Sequence, residues 1–478
     1  MLRYKRPFAS FLAMLFLVTL AACAPVGPDY VRPNVEVPVK FVENGPWRKA
    51  LPQDSVSRGD WWTIFNDSLL NDLEEQAVKN NPDLKAVAAR VQQARAIAGI
   101  SESYLYPEVN LGAVASRYAV SQNRPDQPPN IPNNVAYATD AMTAIPLYAS
   151  YEIDFWGKLR RQVESSEAKV QASVASYQTA LLTLNGEVAQ TYFLIRITDE
   201  LLRILNANID LRRAARDLTK ARRRDGLSSD LDLLFFETEV TSTQALAQSA
   251  EKRRIELTYK LAVLIGITPE SFKLEPTPFK LITPAVPVDL PSDLLERRPD
   301  IAFAERNMAA YNAEIGIAIS AYFPSFTFNT GFGFNSYSLN LLTDHNSWIW
   351  GLGTSVFMQL FNAGRLGFNV DRSRAAYQEQ VALYQGVILK SFQEVESAIA
   401  GLRLLERQSA YQKLSVSSAD RATMLATKRY QAGLVSMLDV ITAQRASLEA
   451  ETAAIQIAND QLMTSVMLIK ALGGGWGK

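Results

Sequence analysis

The sequence predicts a mainly helical chain carrying membrane β-strands, with one unit of helix, two strands, very long helix and return helix used twice. Three observations carry this. Residues 159–266 align without a gap on 366–473 at a shift of 207. Each half holds two stretches in which apolar side chains alternate with small or polar ones at period two. Each half then runs for more than sixty residues without a proline.

The repeat rests on identities such as Val163/Val370, Gln171/Gln378, Tyr177/Tyr384, Glu187/Glu394, Gly226/Gly433, Leu227/Leu434, Asp232/Asp439 and Gly266/Gly473. A second block, shifted by 217, places Pro82-Asp83 on Pro299-Asp300, Gly99-Ile100 on Gly316-Ile317 and Pro107 on Pro324. A duplicated unit of about 200 residues follows, over 61–270 and 292–473, with a linker at 271–291 and a short tail at 474–478.

The N-terminus sets the compartment. Arg3, Lys5 and Arg6 precede an apolar run from Phe8 to Leu20, which reads as a signal peptide over 1–22. Leu20-Ala21-Ala22-Cys23 resembles a bacterial lipobox, in which the cysteine sulfur is acylated after cleavage. Cys23 is the only cysteine in the chain, and Ala24 follows it, which favours outer-membrane sorting over retention in the inner membrane. The plainer alternative is a secretory signal with a chance cysteine. Residues 23–60 are proline-rich and aperiodic, as expected of an extended tether behind a lipid anchor.

Composition narrows the chemistry. Lysine plus arginine and aspartate plus glutamate both number 49, so the phosphate-neutralising surplus of a nucleic-acid binder is missing. One cysteine and one histidine, His345, rule out a disulfide framework and a two-histidine metal site. No convergent acid, base and nucleophile set appears, so an enzyme is not expected, and no cofactor is implied. Gly351-Leu352-Gly353 is too short for a dinucleotide fingerprint and sits inside a strand.

Within each unit, a first helix covers 67–103 and 292–320, restarted by Pro82 and Pro299 at a first turn. Strands follow at about 108–118, 146–155, 325–336 and 348–361. Phe326, Phe328, Phe332 and Phe334 alternate with Thr327, Asn329, Gly331 and Gly333. Greasy on one side and small-polar on the other suits a membrane barrel with a wet lumen, although a soluble sandwich shares the alternation. Trp348 and Trp350 fit an interfacial aromatic belt or ordinary lipid-facing packing. The long helices span 159–222 and 366–430; at 1.5 Å per residue the first extends about 96 Å. Leu181, Leu184, Val188, Ile195, Leu202, Leu205 and Ile209 form a narrow coiled-coil seam. Gly226 and Gly433 end these runs, and a return helix of about 36 residues follows each.

Four strands cannot close a barrel, since about eight are needed for even a filled interior. Open edges in hydrocarbon would leave rows of unpaired backbone groups. Copies of the same chain must therefore supply the missing wall. Two give no useful bore, three give twelve strands around water, and a tetramer stays open as an alternative.

Several motifs now stand together: the lipobox and tether, Asp60-Trp61-Trp62, Leu294-Leu295-Glu296-Arg297-Arg298-Pro299-Asp300-Ile301, Phe323-Pro324-Ser325, Tyr430-Gln431-Ala432-Gly433-Leu434 and Ala471-Leu472-Gly473-Gly474-Gly475-Trp476. From Cys23 onward the chain resembles the TolC-like outer-membrane factors, specifically the NodT/OprM-type efflux lipoproteins. The resemblance implies a homotrimeric twelve-stranded outer-membrane β-barrel continuous with a periplasmic α-helical coiled-coil tunnel. It implies a passive exit duct for drugs or other small toxic compounds, lipid-anchored and largely periplasmic. Its partners would be a periplasmic adaptor (membrane fusion) protein and an inner-membrane resistance-nodulation-division transporter. A channel for type I protein secretion is the alternative within transport, and a poreless periplasmic coiled-coil scaffold the alternative outside it.

The resemblance also points to residues. Asp225, Gly226 and Leu227, with Ala432, Gly433 and Leu434, match the tip that meets the adaptor. Asp232 and Asp439, with Leu231, Leu438 and Tyr430, match the resting constriction. Six carboxylates from three chains would crowd there, raising the cost of ionisation and attracting cations. Val435 stands where some relatives carry a linking arginine and Thr442 where relatives use a second acid, so the lock is only partly represented. The basic run Arg212, Arg213, Arg216, Lys220, Arg222, Arg223 and Arg224 reads as a solvated face meeting the helix dipole, or as a contact for an acidic adaptor surface.

Overall fold

The computed structural model describes residues 25–33, 60–119, 139–277 and 297–474. The signal peptide, Cys23, most of the tether, Leu294 to Glu296 and the last four residues lie outside these. The chain divides into two compact units that cut across the sequence repeat, each taking pieces from both halves. The first holds the described part of Met1–Pro33 with Gln92–Ala172 and Glu305–Ala382. The second holds the described parts of Asn34–Val91, Ser173–Ala304 and Leu383–Lys478.

The first unit is organised by one antiparallel sheet. Its strands are β1 (Glu108–Leu111), β2 (Val114–Ala119), β3 (Thr139–Ile153), β4 (Ser325–Ser336) and β5 (Trp348–Phe357). Both β1 and β2 pair with β3, which pairs with β4, which pairs with β5. The single strand expected at 108–118 is thus broken in two, and Pro146 of β3 explains the break. The register does not slip, with Leu111 opposite Leu147 and Val114 opposite Ala144. Gly112 N donates to Pro146 O at 2.8 Å, but proline has no N–H to return. The second strand begins earlier than expected, at Thr139, and the fourth stops at Phe357.

Register sorts the side chains. Val109, Leu111, Ile145, Leu147, Phe328, Phe332, Phe334, Trp348, Trp350, Leu352 and Val356 fall on one face. Ser150, Thr327, Asn329, Gly331, Gly333, Gly351, Gly353 and Ser355 fall on the other, where Ser150 Oγ donates to Asn329 Oδ1 at 3.0 Å. Gly333 lies opposite Pro146, and a Cβ there would stand 2.2 Å from Ile145 O, so no other residue fits.

Part of the expected tether is docked on this unit. Val26 N donates to Trp156 O at 2.9 Å. Buried Arg161 donates to Asp29 at 2.7 Å and to Val26 O at 3.3 Å, and Asn312 donates to Pro28 O at 2.9 Å. Gly27 backs onto Gly316 so closely that an added Cβ would meet the opposing backbone at 2.5 Å.

The second unit is helical. A 3-10 turn (Trp61–Phe65) leads into α1 (Ser68–Asn80), whose start is capped by Asp67 Oδ1 accepting from Leu69 N at 3.0 Å and Leu70 N at 3.2 Å. Helix α2 (Pro82–Ser103) opens on the proline. The long helices α3 (Lys158–Arg224) and α6 (Arg365–Gln431) have 67 residues each and supply both units. At 1.5 Å per residue each extends about 100 Å. Their return partners α4 (Asp230–Leu264) and α7 (Met437–Ala471) have 35 each, and α5 (Pro299–Ser320), which like α2 supplies both units, precedes β4. Of the expected seam, Leu184, Val188, Ile195, Leu205 and Ile209 are buried, in one core with Trp61, Trp62, Leu70, Leu73 and Leu261. Tyr192 pins that core by donating to Asp67 Oδ2 at 2.6 Å.

Glu74 is enclosed beside this core, and neither carboxylate oxygen meets a partner among the described residues. Burial pushes its carboxyl well above the ordinary value of 4.5. Below that value both folded and unfolded chains hold the proton and nothing is lost. As pH rises the unfolded chain ionises while the folded carboxyl resists, so stability falls. Glu74→Met is therefore expected to raise the thermal midpoint near neutral pH, by the equivalent of about 1–3 kcal/mol, and to do much less in acid; calorimetry at the two pH values checks this. In the sheet, Gly333→Val is expected to abolish outer-membrane insertion, whereas Gly351→Val, where an added Cβ meets nothing within 4 Å, is tolerated; membrane fractionation separates the two.

Candidate functional site

Both long helices end in the same way. Gly226 adopts φ 74°, its N–H donates to Arg223 O at 3.0 Å, and Leu227 N donates to Arg222 O at 2.8 Å. Gly433 adopts φ 75°, donating to Tyr430 O at 3.0 Å, and Leu434 N donates to Arg429 O at 2.9 Å. This is the Schellman arrangement, in which a left-handed residue turns the chain and satisfies the last carbonyls. A Cβ at either glycine would meet nothing within 4 Å, so backbone conformation alone demands glycine. Beyond the turns Leu227 and Leu434 stand about 70% exposed (68% and 73%), and Leu231, Leu438, Asp225 and Ala432 are exposed as well. Each tip thus offers bare aliphatic side chains to water.

The two aspartates have a local task. Asp232 Oδ2 accepts from Ser229 N at 3.1 Å and Ser228 Oγ at 3.0 Å, while Ser229 Oγ accepts from Asp232 N at 3.1 Å. Asp439 Oδ2 accepts from Ser436 Oγ at 2.6 Å and Ser436 N at 2.8 Å. Each closes a capping box that starts a return helix. For Asp439 the Ser436 bonds hold the carboxyl below its ordinary 3.8. For Asp232 partial burial pushes upward, but the Ser229 and Ser228 bonds outweigh it and the net shift is downward. Within one chain both aspartates are therefore held ionised, opposite in direction to the crowding expected of a six-carboxylate ring. The Ser-x-x-Asp spacing at 229–232 and 436–439 is the signal that could have revealed this.

Tyr430 packs against Phe236, Met437 and Ile441. Arg222 lies over its ring at 4.8 Å and donates through Nη1 to its carbonyl at 3.1 Å, tying the end of α3 to the end of α6. The basic run is therefore more than a solvated face. Arg212 is buried, 3.2 Å from Glu239 of α4, and Glu239 also accepts from Arg445 Nε of α7 at 2.9 Å. The two arginines thus join three helices through one buried carboxylate. Arg213 meets Asp210 at 3.4 Å, Arg216 meets Asp217 at 2.8 Å, and Arg223 pairs with Asp230. Sequence reasoning missed the tie of Arg222 to Tyr430 and that of Glu239 to Arg445, because the partners of each pair lie more than 200 residues apart.

His345 sits in a short turn between β4 and β5, and Gly351 and Gly353 are in extended backbone, which leaves no phosphate-cradling loop. Among the described residues there is no helix long and apolar enough to span a membrane and no metal-ligating cluster.

The apolar face of the sheet is bare. Trp350, Leu352 and Val356 are 60–74% exposed, and Val109, Leu111 and Trp348 are exposed too. A family model for the outer membrane efflux protein matches the chain twice, at residues 73–266 and 290–474. The chain belongs to the outer membrane efflux protein family. It is 34% identical over 417 residues to the pyoverdine export outer membrane protein OpmQ of Pseudomonas putida, covering 87% of this chain and 88% of that one. It is 29% identical to the solvent efflux pump outer membrane protein SrpC of Pseudomonas putida, over 97% of this chain and 98% of that one. The solved structure of the outer-membrane channel OprN superposes with a TM-score of 0.85 at 26% identity, covering 94% of this chain and 99% of that one. The helices and sheet thus have the fold of an outer-membrane efflux channel subunit, and the chain's place is the outer membrane.

The capping boxes generate a pH-dependent expectation. A carboxyl whose folded value is depressed stabilises above its unfolded value and loses that contribution as pH falls through the folded one. Asp439→Asn is expected to speed amide exchange over the first turn of α7 several-fold at neutral pH, with the difference from wild type shrinking once pH falls under the ordinary carboxylate value of 3.8 and vanishing below the depressed folded value; hydrogen-exchange mass spectrometry across pH reads it.

Proposed function

We propose that three copies of this chain join sheet edge to sheet edge into a twelve-stranded outer-membrane barrel, and that their long helices form the periplasmic tunnel of a passive efflux duct. The observation that carries this is the bare apolar sheet face ending in two edges, β1/β2 and β5, that pair with no other strand among the described residues. A soluble sandwich or a poreless scaffold would have to cover that face with protein. In lipid the face is solvated as it stands, but each unpaired edge group costs several kcal/mol, and neighbouring copies remove the edges. The helices support the same reading. Leu234, Phe235, Leu246 and Tyr259 of α4, with Leu404, Tyr411 and Leu414 of α6, are exposed apolar seams suited to a neighbouring copy.

The duct is anchored by acyl groups on Cys23 and serves a periplasmic adaptor and an inner-membrane transporter, which supplies the energy. Relatives named for pyoverdine export and solvent efflux favour small compounds as cargo. Adaptor contact falls to the exposed turns Asp225–Leu227 and Ala432–Leu434. The resting constriction lies just inside them, at Leu231, Asp232, Leu438 and Asp439, with Tyr430 clamped by Arg222.

Planar-bilayer recordings test the gate. Asp439→Ala and Arg222→Ala are each expected to raise single-channel conductance, the first by removing charge at the constriction and the second by freeing α3 from α6. Ser436→Ala removes the same capping bond but keeps the Asp439 charge, so it is expected to leave conductance near wild type; equal behaviour of the two would assign the effect to the helix start instead. Leu227→Glu with Leu434→Glu is expected to abolish drug efflux in a deletion strain while the trimer still assembles, as judged by cross-linking.

A further inference from the structure

The internal repeat offers a comparison inside one chain, and one cation present in the second half is missing from the first. In the second half Arg298, buried just before Pro299, donates to Asp300 through Nε at 3.0 Å and Nη2 at 2.6 Å. Its Nη1 donates to Glu394 at 2.8 Å and to Ala471 O, at the end of α7, at 3.0 Å. At the two repeat shifts the counterparts of Arg298, Asp300, Glu394 and Ala471 are Asn81, Asp83, Glu187 and Leu264.

These counterparts are equivalent in space as well as in sequence. Gly266 turns behind α4 with φ 75°, and a Cβ there would touch Asn80 backbone at 2.7 Å. Gly473 turns behind α7 with φ 87°, and a Cβ there would touch Arg297 O at 2.9 Å. Asn81 Nδ2 donates to Leu264 O at 2.9 Å, reproducing the bond of Arg298 to Ala471. It cannot reproduce the rest. Asp83 and Glu187 keep the two carboxylates and meet no cation among the described residues. Where the guanidinium would sit there is a cavity of about 440 Å³, lined by Asn81, Asp83, Glu187, Leu264, Asp300 and Phe303 among others, with no lysine or arginine on its wall.

We infer that this cavity binds a guanidinium group carried by a small organic cation, held between Asp83 and Glu187 as Arg298 is held between Asp300 and Glu394. An acid pair alone would be a solvated surface. Here the counterpart pair in the other half of the chain, Asp300 and Glu394, grips a planar fork with two hydrogen bonds to the first carboxylate and one to the second, which is the geometry guanidinium favours. The third acid on the wall, Asp300, is already neutralised by Arg298, so the uncompensated charge belongs to Asp83 and Glu187. The site does not depend on the duct reading, because every group belongs to one helical unit.

Methylguanidinium titrated into the full-length protein in detergent, followed by calorimetry, tests it. One saturable site per chain is expected, with Glu187→Gln weakening it at least tenfold. Asn81→Arg is expected to abolish binding by filling the cavity with its own guanidinium. Absence of saturable binding to the wild type overturns the inference, and so does binding that Glu187→Gln leaves unchanged. Glu187 is exposed, so that variant keeps the test valid even if Asn81→Arg fails to fold; tetramethylammonium, which cannot donate hydrogen bonds, is expected not to bind.

Discussion

A backbone amide or carbonyl that leaves water must find another partner, and among the described residues this chain's sheet has two edges without one. That constraint organises the rest. The register puts most of the large aromatic and aliphatic side chains on one face and mostly glycine, serine, threonine and asparagine on the other, Tyr148, Ile349 and Phe357 being exceptions, so the sheet suits a boundary between hydrocarbon and water. With so few strands it cannot bend round to meet itself. The proposed trimer follows from this shortage of strands, and the likeness to outer-membrane channels across almost the whole chain agrees with it.

The helical unit solves a different problem, that of stopping and reversing very long helices. It does so twice with the same parts: a left-handed glycine, a Schellman pair of hydrogen bonds, then a serine–aspartate capping box. The aspartates read from the sequence as gate charges are first of all helix starters. The two roles are compatible, since a carboxylate held ionised by its serine is a dependable fixed charge. The Arg222–Tyr430 stack adds a link between the two long helices at the same level.

Duplication explains much of the chain's economy, and its imperfections are informative. Glu239, flanked by Arg212 and Arg445, has Ala446 as its counterpart, so that buried tie exists in one half only. Arg298 likewise fills a pocket that Asn81 leaves open. Each asymmetry marks a place where the halves have diverged in charge while keeping their backbone turns.

What could be read from the residues alone was periodic or punctual. Strand alternation at 325–336, the seam from Leu184 to Ile209, the glycines at 226 and 433 and the repeat itself are local patterns, and steric and hydrophobic rules act on them over a few residues. What required the fold was pairing at a distance. Pro146 splits β1 from β2 because of which strand lies beside it; Asp29 is fixed by Arg161, and Tyr430 by Arg222, across gaps of 132 and 208 residues. A hydrogen bond or ion pair depends on separations of a few ångströms, which no spacing along the chain encodes, so only the tertiary structure could decide which charges met and which, like Asp83 and Glu187, were left facing a cavity.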